Sequence, residues 1–194
     1  MKQMKHKKNN IRKMILAALF LALGLVLPFL TGQVPAIGKM LLPMHIPVLL
    51  CGFVCGWQYG LLVGFIVPLF RSVLFSMPVM MPMAVGMAFE LAVYGLTCGL
   101  LYPRLSGIKC FSGKPAGRGI SIYLTLIAAM IGGRIVWGMV SIILYGIQGN
   151  AFSWQLFLGG ALLNAIPGIV LQLVMIPVII MILEKTGLMD EYVG

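Results

Sequence analysis

Residues 120–147, ISIYLTLIAAMIGGRIVWGMVSIILYGI, carry a single charge, Arg134, in an otherwise apolar stretch. A helix needs about 20 predominantly apolar residues to cross a bilayer, so this stretch is long enough to span hydrocarbon. Comparable runs occupy Met14–Leu30, Leu41–Val54, Leu61–Phe75, Met81–Leu101 and Trp154–Leu183. The second and third in chain order are short, and the last two are long enough to tilt or project. Of 194 residues, 61% are hydrophobic and 9% charged, and the mean hydropathy is +1.06. A soluble domain averages about 25% charged residues. The chain therefore reads as an all-α integral membrane protein, a six-transmembrane-helix bundle with no room for a soluble catalytic domain. A basic tail covers 1–13, one transmembrane domain covers 14–183, and a second tail covers 184–194.

The net charge of +10 is distributed by topology. Lys2, Lys5, Lys7, Lys8, Arg12 and Lys13 precede the first run, and Arg104, Lys109, Lys114 and Arg118 share one loop. Lys185 follows the last run, while the opposite loops hold only Lys39. Basic residues gather on the cytoplasmic side of short-looped membrane proteins, so six crossings put both termini in the cytoplasm. This pattern speaks against nucleic acid as the partner. The N-terminus has the charge layout of a signal peptide. However, further apolar spans follow it rather than a cleavage site and a soluble sequence, so it reads as a retained first span. Cys51, Cys55, Cys98 and Cys110 lie in apolar runs or on the inner side, and no His or Cys completes a metal set. They read as small packing residues.

The expected connections differ in kind. A long outer loop from Gly32 to Pro43 contains Pro35, Gly38 and Lys39, and a tight inner turn runs from Gly56 to Gly60. Outer loops at 76–82 and 146–153 join the third run to the fourth and the fifth to the sixth. Ala18 and Ala22 form a small-xxx-small pair, and Gly52, Gly56, Gly60 and Gly64 extend the same spacing. Such spacing lets helix backbones approach closely in lipid. The glycine run reads as internal packing. The alanine pair suits either internal packing or another protein.

Charges inside hydrocarbon cost several kcal/mol, so they pair with one another or line a cavity. Arg71, Glu90 and Arg134 are such charges. At about 1.5 Å per residue, Arg71 lies about 6 Å, Glu90 about 12 Å, Asn164 about 15 Å and Arg134 about 18 Å from the outer ends of their spans. On helical faces, Arg134, Trp137, Ser141, Tyr145 and Gln148 form one stripe. Met83, Glu90, Tyr94 and Thr97 form a second, and Phe157, Gly160, Asn164 and Gly168 a third. Facing stripes of this kind enclose a small-molecule site with aromatic walls and a few directional polar groups. Lys39, on the outer loop, is placed to cap it. Glu90 pairs with Arg71 or Arg134, leaving the other guanidinium for a ligand anion or for backbone carbonyls. Tyr145 and Trp154 also suit interfacial anchors, and His45 reads as a satisfied or interfacial histidine.

No G-x-x-x-x-G-K-[ST] is present, nor an HExxH or a carboxylate–histidine cluster for zinc. No histidine and aspartate pair is placed to activate a serine. The expectation is a protein that is not an enzyme and carries no cofactor. Glu90 alone is a thin basis for a proton-coupled secondary carrier, which stands as the alternative. A non-transport assembly or anchoring protein is a third reading.

The basic tail leads into Ala18-Leu19-Phe20-Leu21-Ala22, followed by a long first outer loop. Next come His45-Ile46-Pro47-Val48-Leu49-Leu50-Cys51-Gly52-Phe53-Val54-Cys55-Gly56 and Gly60-Leu61-Leu62-Val63-Gly64, leading to Arg71-Ser72-Val73-Leu74-Phe75. Over nearly its full length this pattern resembles the substrate-binding, or S, components of energy-coupling factor transporters. The resemblance implies a six-helix protein of the bacterial cell membrane that captures a vitamin or related micronutrient from outside. It also implies partners, namely a transmembrane coupling subunit and two ATPase subunits, with Ala18 and Ala22 contacting the coupling subunit. The expected substrate-binding residues are Lys39, Arg71, Glu90, Tyr94, Arg134, Trp137, Ser141, Tyr145 and Asn164. An anionic or amide-bearing ligand, such as pantothenate or a riboflavin-like molecule, suits Arg134 and Asn164.

Overall fold

A single glycine divides the apolar stretch from 45 to 75 into two helices. Gly56 sits at φ 92°, a left-handed conformation that costs glycine little and strains other residues. In the computed structural model, which describes residues 2–30, 42–108, 115–147 and 165–186, helix α2 spans His45–Cys55 and α3 spans Trp57–Phe75. The expected turn from Gly56 to Gly60 is thus one residue long. The Gly60 N–H already donates to the Gly56 carbonyl at 3.0 Å.

Before this pair stands α1, Lys2–Leu30; after it come α4, Val85–Ser106, α5, Pro115–Ile147, and α6, Ile166–Lys185. Among the described residues all regular structure is helical. A wide helical turn, Met80–Ala84, leads into α4 and is broken by extended backbone at Met81 (φ −117°, ψ 131°). The basic segment expected as a tail is helical from Lys2 onward.

Five stretches are long and apolar enough to cross a membrane: Asn9–Phe29, Trp57–Phe75, Met80–Ser106, Gly117–Ile147 and Ile166–Lys185. The expected second span is different. Helix α2 has 11 residues, about 16 Å of helix against a hydrocarbon thickness of about 30 Å. All its residues except Ile46 are buried. An all-apolar helix enclosed on every side belongs to a bundle core, with no lipid-facing stripe to display. The expected sixth span, Trp154–Leu183, is described from residue 165 onward.

Helix α4 occupies the centre, against α2, α3 and α5; α1 packs on α2 and α3, and α6 on α2 and α5. Glycines set the spacing. A Cβ added at Gly52 would lie 2.6 Å from the Gly95 carbonyl oxygen, and one at Gly60 would lie 2.7 Å from that same atom. No side chain fits at those distances, so α2 and α3 meet α4 backbone to backbone, as small residues permit in lipid. Ile131, Ile135, Met139 and Ile142 of α5 are exposed, the display expected of a face bathed in acyl chains. On α1 the bundle side is Ala17, Phe20, Gly24 and Pro28, whereas Ala18 and Ala22 are exposed.

At one end of the bundle, Tyr102 of α4 donates a hydrogen bond to Glu184 of α6. Arg118 of α5 lies 4.0 Å from the other Glu184 oxygen. This tie places the start of α5 beside the ends of α4 and α6, so α5 runs antiparallel to both.

Candidate functional site

Toward the opposite end, the first turns of α4 carry Glu90, 2% exposed. Its neighbour one helical turn on, Tyr94, lies on the same face and donates its hydroxyl to Glu90 Oε1 at 2.9 Å. Across the interface, Arg134 Nη1 of α5 stands 3.3 Å from that oxygen. Gly133 makes this possible. A Cβ there would run into the Tyr94 ring and lie 3.1 Å from the Glu90 carbonyl oxygen. Glycine beside Arg134 therefore lets α5 close onto α4 at the level of the ion pair.

The contact continues one and two turns along α5. A Cβ at Gly86 would lie 3.3 Å from Trp137 Nε1 and 3.6 Å from Ser141 Oγ. Ser141 is buried, and Trp137 and Tyr145 are half-buried. The two stripes expected on α4 and α5 thus face each other, with Glu90, Tyr94, Arg134, Trp137 and Ser141 brought together. Met83, expected at the head of the α4 stripe, is exposed, because it precedes α4 on the wide turn.

Arg71 lies apart from this cluster. Its Nη1 donates to the Leu25 carbonyl of α1 at 2.7 Å. Its guanidinium carbon stands 5.0 Å from the Phe29 ring centre and 5.5 Å from that of Phe75. Those rings meet edge to face at 4.8 Å. Arg71 is therefore a clasp between α1 and α3, its charge met by a carbonyl and two π-faces. Lys39 and Asn164, the other expected binding residues, lie outside the described residues, as does Gln148.

Two residues were missed by sequence reasoning. His45, read as satisfied or interfacial, is 1% exposed, with Nε2 3.8 Å from Glu90 Oε1 and its ring 5.5 Å from that of Tyr94. It opens α2, and α2 packs on α4, which is what carries it to the carboxylate. Gln172, on α6, is also 1% exposed. A lone glutamine in an apolar run was the available signal. Among the described residues, five buried side-chain nitrogens have no hydrogen-bond partner: Arg134 Nε and Nη2, both His45 ring nitrogens, and Gln172 Nε2. Native structures pair such groups, so a cluster of exceptions marks either a strained core or a place where something binds.

Comparison with curated proteins gave no match, and comparison with solved structures gave none. The model of one family does match, that of the ECF transporter, substrate-specific component, over residues 12–180. That range begins within the first membrane-spanning stretch and ends within α6, and it includes the Glu90–Arg134 cluster. This multi-pass membrane protein belongs to that family, the non-catalytic, substrate-binding subunits of such transporters.

Proposed function

We propose that this chain captures a vitamin or related micronutrient at the outer face of a bacterial cell membrane. A transmembrane coupling subunit and two ATPase subunits then drive its release inside. The observation that carries this reading is the α4–α5 interface, where Glu90, Tyr94, Arg134, Trp137 and Ser141 converge around unpaired buried donors. Six crossings with both termini inside would put the basic ends of the chain in the cytoplasm and the Glu90 cluster in the outer half. Arg134, Tyr94, Trp137, Ser141 and Tyr145 would then contact solute, with Asn164 and Lys39 completing and capping the site. Glu90 would orient Arg134, and Arg71 would hold α1 and α3 together beside the site. The exposed alanines of α1, Ala18 and Ala22, form the surface for the coupling subunit.

The test is native mass spectrometry of the purified chain, followed by thermal-shift titration with a panel of water-soluble vitamins. Retention of a small solute, and stabilisation by that solute without any ATPase activity, is the expected result. Uptake into vesicles driven by a pH gradient, with no partner subunit present, would instead select a proton-coupled carrier built on Glu90.

A further inference from the structure

The unpaired atoms of the cluster specify the chemistry of the solute, on the reading that this chain is a binding subunit. A guanidinium has two edges able to form paired hydrogen bonds. Glu90 occupies Arg134 Nη1, which leaves the Nε–Nη2 edge. Both nitrogens of that edge are buried and have no partner among the described residues. Two parallel N–H donors in this fixed fork match the two oxygens of a carboxylate.

Gln172 adds a third donor. Its Nε2 is buried and unpaired, on a helix packed against both α2 and α5. Its level follows from the tie at the other end of the bundle. Gln172 precedes Glu184 by twelve positions, and Glu90 precedes Tyr102 by twelve. Since Tyr102 is bonded to Glu184, and α4 and α6 run in the same direction, both residues stand about 18 Å from that tie. The unpaired donors of α5 and α6 therefore belong to one layer, at the level of Glu90 and of His45 beside it.

The donors themselves set the match. A cation has nothing to accept from them, and an uncharged carbonyl offers the fork one acceptor oxygen where a carboxylate offers two.

We propose that the solute is a monocarboxylate, held side-on by the Nε–Nη2 edge of Arg134 with Gln172 as an additional donor. The experiment is isothermal titration of the detergent-purified chain with acids and their uncharged counterparts. The pairs are pantothenate with pantothenol, biotin with biotinamide, and nicotinate with nicotinamide, with riboflavin as a neutral probe. One acid is expected to bind, and its uncharged counterpart to bind about 10- to 100-fold more weakly, the range of a charge-assisted hydrogen bond. Arg134→Lys keeps the charge and removes the fork, and should weaken the acid by a similar factor. Gln172→Leu should weaken it by about tenfold. The acid and amide comparison is made on the unaltered protein, so it stands even if a variant folds poorly. A neutral probe bound as tightly as its acid, or a retained solute with no carboxylate, overturns the proposal and leaves the binding-subunit reading in place. Failure to retain or bind any solute overturns both.

Discussion

Arg134 sets one amino nitrogen 3.3 Å from a carboxylate oxygen of Glu90, joining the central helix α4 to the long helix α5. Both side chains are largely shielded, Glu90 at 2% exposure and Arg134 at 17%. A buried pair recovers its desolvation cost only when further hydrogen bonds satisfy its remaining atoms. Tyr94 supplies one such bond to Glu90. Arg134 has no comparable second partner among the described residues, so the pair is complete on its acidic side and incomplete on its basic side. This asymmetry is what a site with an arriving acceptor needs. It also works against Glu90 as a freely titrating proton carrier, since protonation would strand the arginine.

Removing one charge of the pair should therefore cost more than removing both. Glu90→Gln leaves Arg134 buried without its counter-ion and is expected to destabilise the protein by about 3–5 kcal/mol. In Glu90→Gln with Arg134→Met, the stranded charge is gone, and much of that stability should return. Solute binding should be lost in both. Thermal unfolding in detergent, followed by tryptophan fluorescence, separates the variants. Equal melting temperatures for the single and double variants would contradict the coupling.

Arg71 should behave in the opposite way. Its hydrogen bond to the Leu25 carbonyl and its contacts with Phe29 and Phe75 fasten α1 to α3. Arg71→Met keeps the length of the side chain and removes the clasp. The expected loss is about 2–3 kcal/mol of stability, from one charged hydrogen bond and its ring contacts. Solute affinity of the folded fraction should change less than threefold. Parallel unfolding and titration measurements check this, and an affinity loss matching that of Arg134→Lys would place Arg71 in the site after all.

The helical spans were legible because hydrocarbon leaves the backbone little choice but to satisfy itself internally. The facing stripes of α4 and α5 followed from the helical repeat. Four features were hidden in tertiary relationships. The four-residue glycine spacing marked Gly60 for close packing, yet its partner, Gly95 of α4, is one that no local pattern shows. Lipid and protein core are equally apolar, so the composition of α2 did not reveal that protein surrounds it. His45 was misplaced for that reason, since its burial depends on how deeply α2 is set. The choice between Arg71 and Arg134 as partner of Glu90 was likewise undecidable from depth alone. It is settled by the side chains themselves: Arg134 of α5 reaches Glu90, whereas Arg71, although α3 also packs on α4, turns to the Leu25 carbonyl of α1.

The glycine contacts predict a steep response to a single methyl group. Gly60→Ala would place a Cβ 2.7 Å from the Gly95 carbonyl oxygen, with backbone rather than a yielding side chain as the obstacle. Overpacking of this kind costs about 1–3 kcal/mol or more. Gly119→Ala is the control, because a Cβ there meets nothing within 4 Å. Yield of monodisperse protein and melting temperature should both fall for Gly60→Ala and stay near the starting values for Gly119→Ala.

Ala18 and Ala22 test whether capture and delivery are separable. Both are exposed, while Ala17, Phe20 and Gly24 on the same helix face the bundle. Enlarging an exposed alanine therefore leaves the interior untouched, and Ala18→Leu with Ala22→Leu should preserve folding and solute affinity. A helix face that receives a partner through small residues loses close approach when they are enlarged. Uptake by cells supplying the coupling and ATPase subunits should drop at least about tenfold, with co-purification of those subunits reduced in step. Normal uptake by the double variant would show that the coupling subunit docks elsewhere. Lost solute binding with normal co-purification would mean that α1 serves the site rather than the partner.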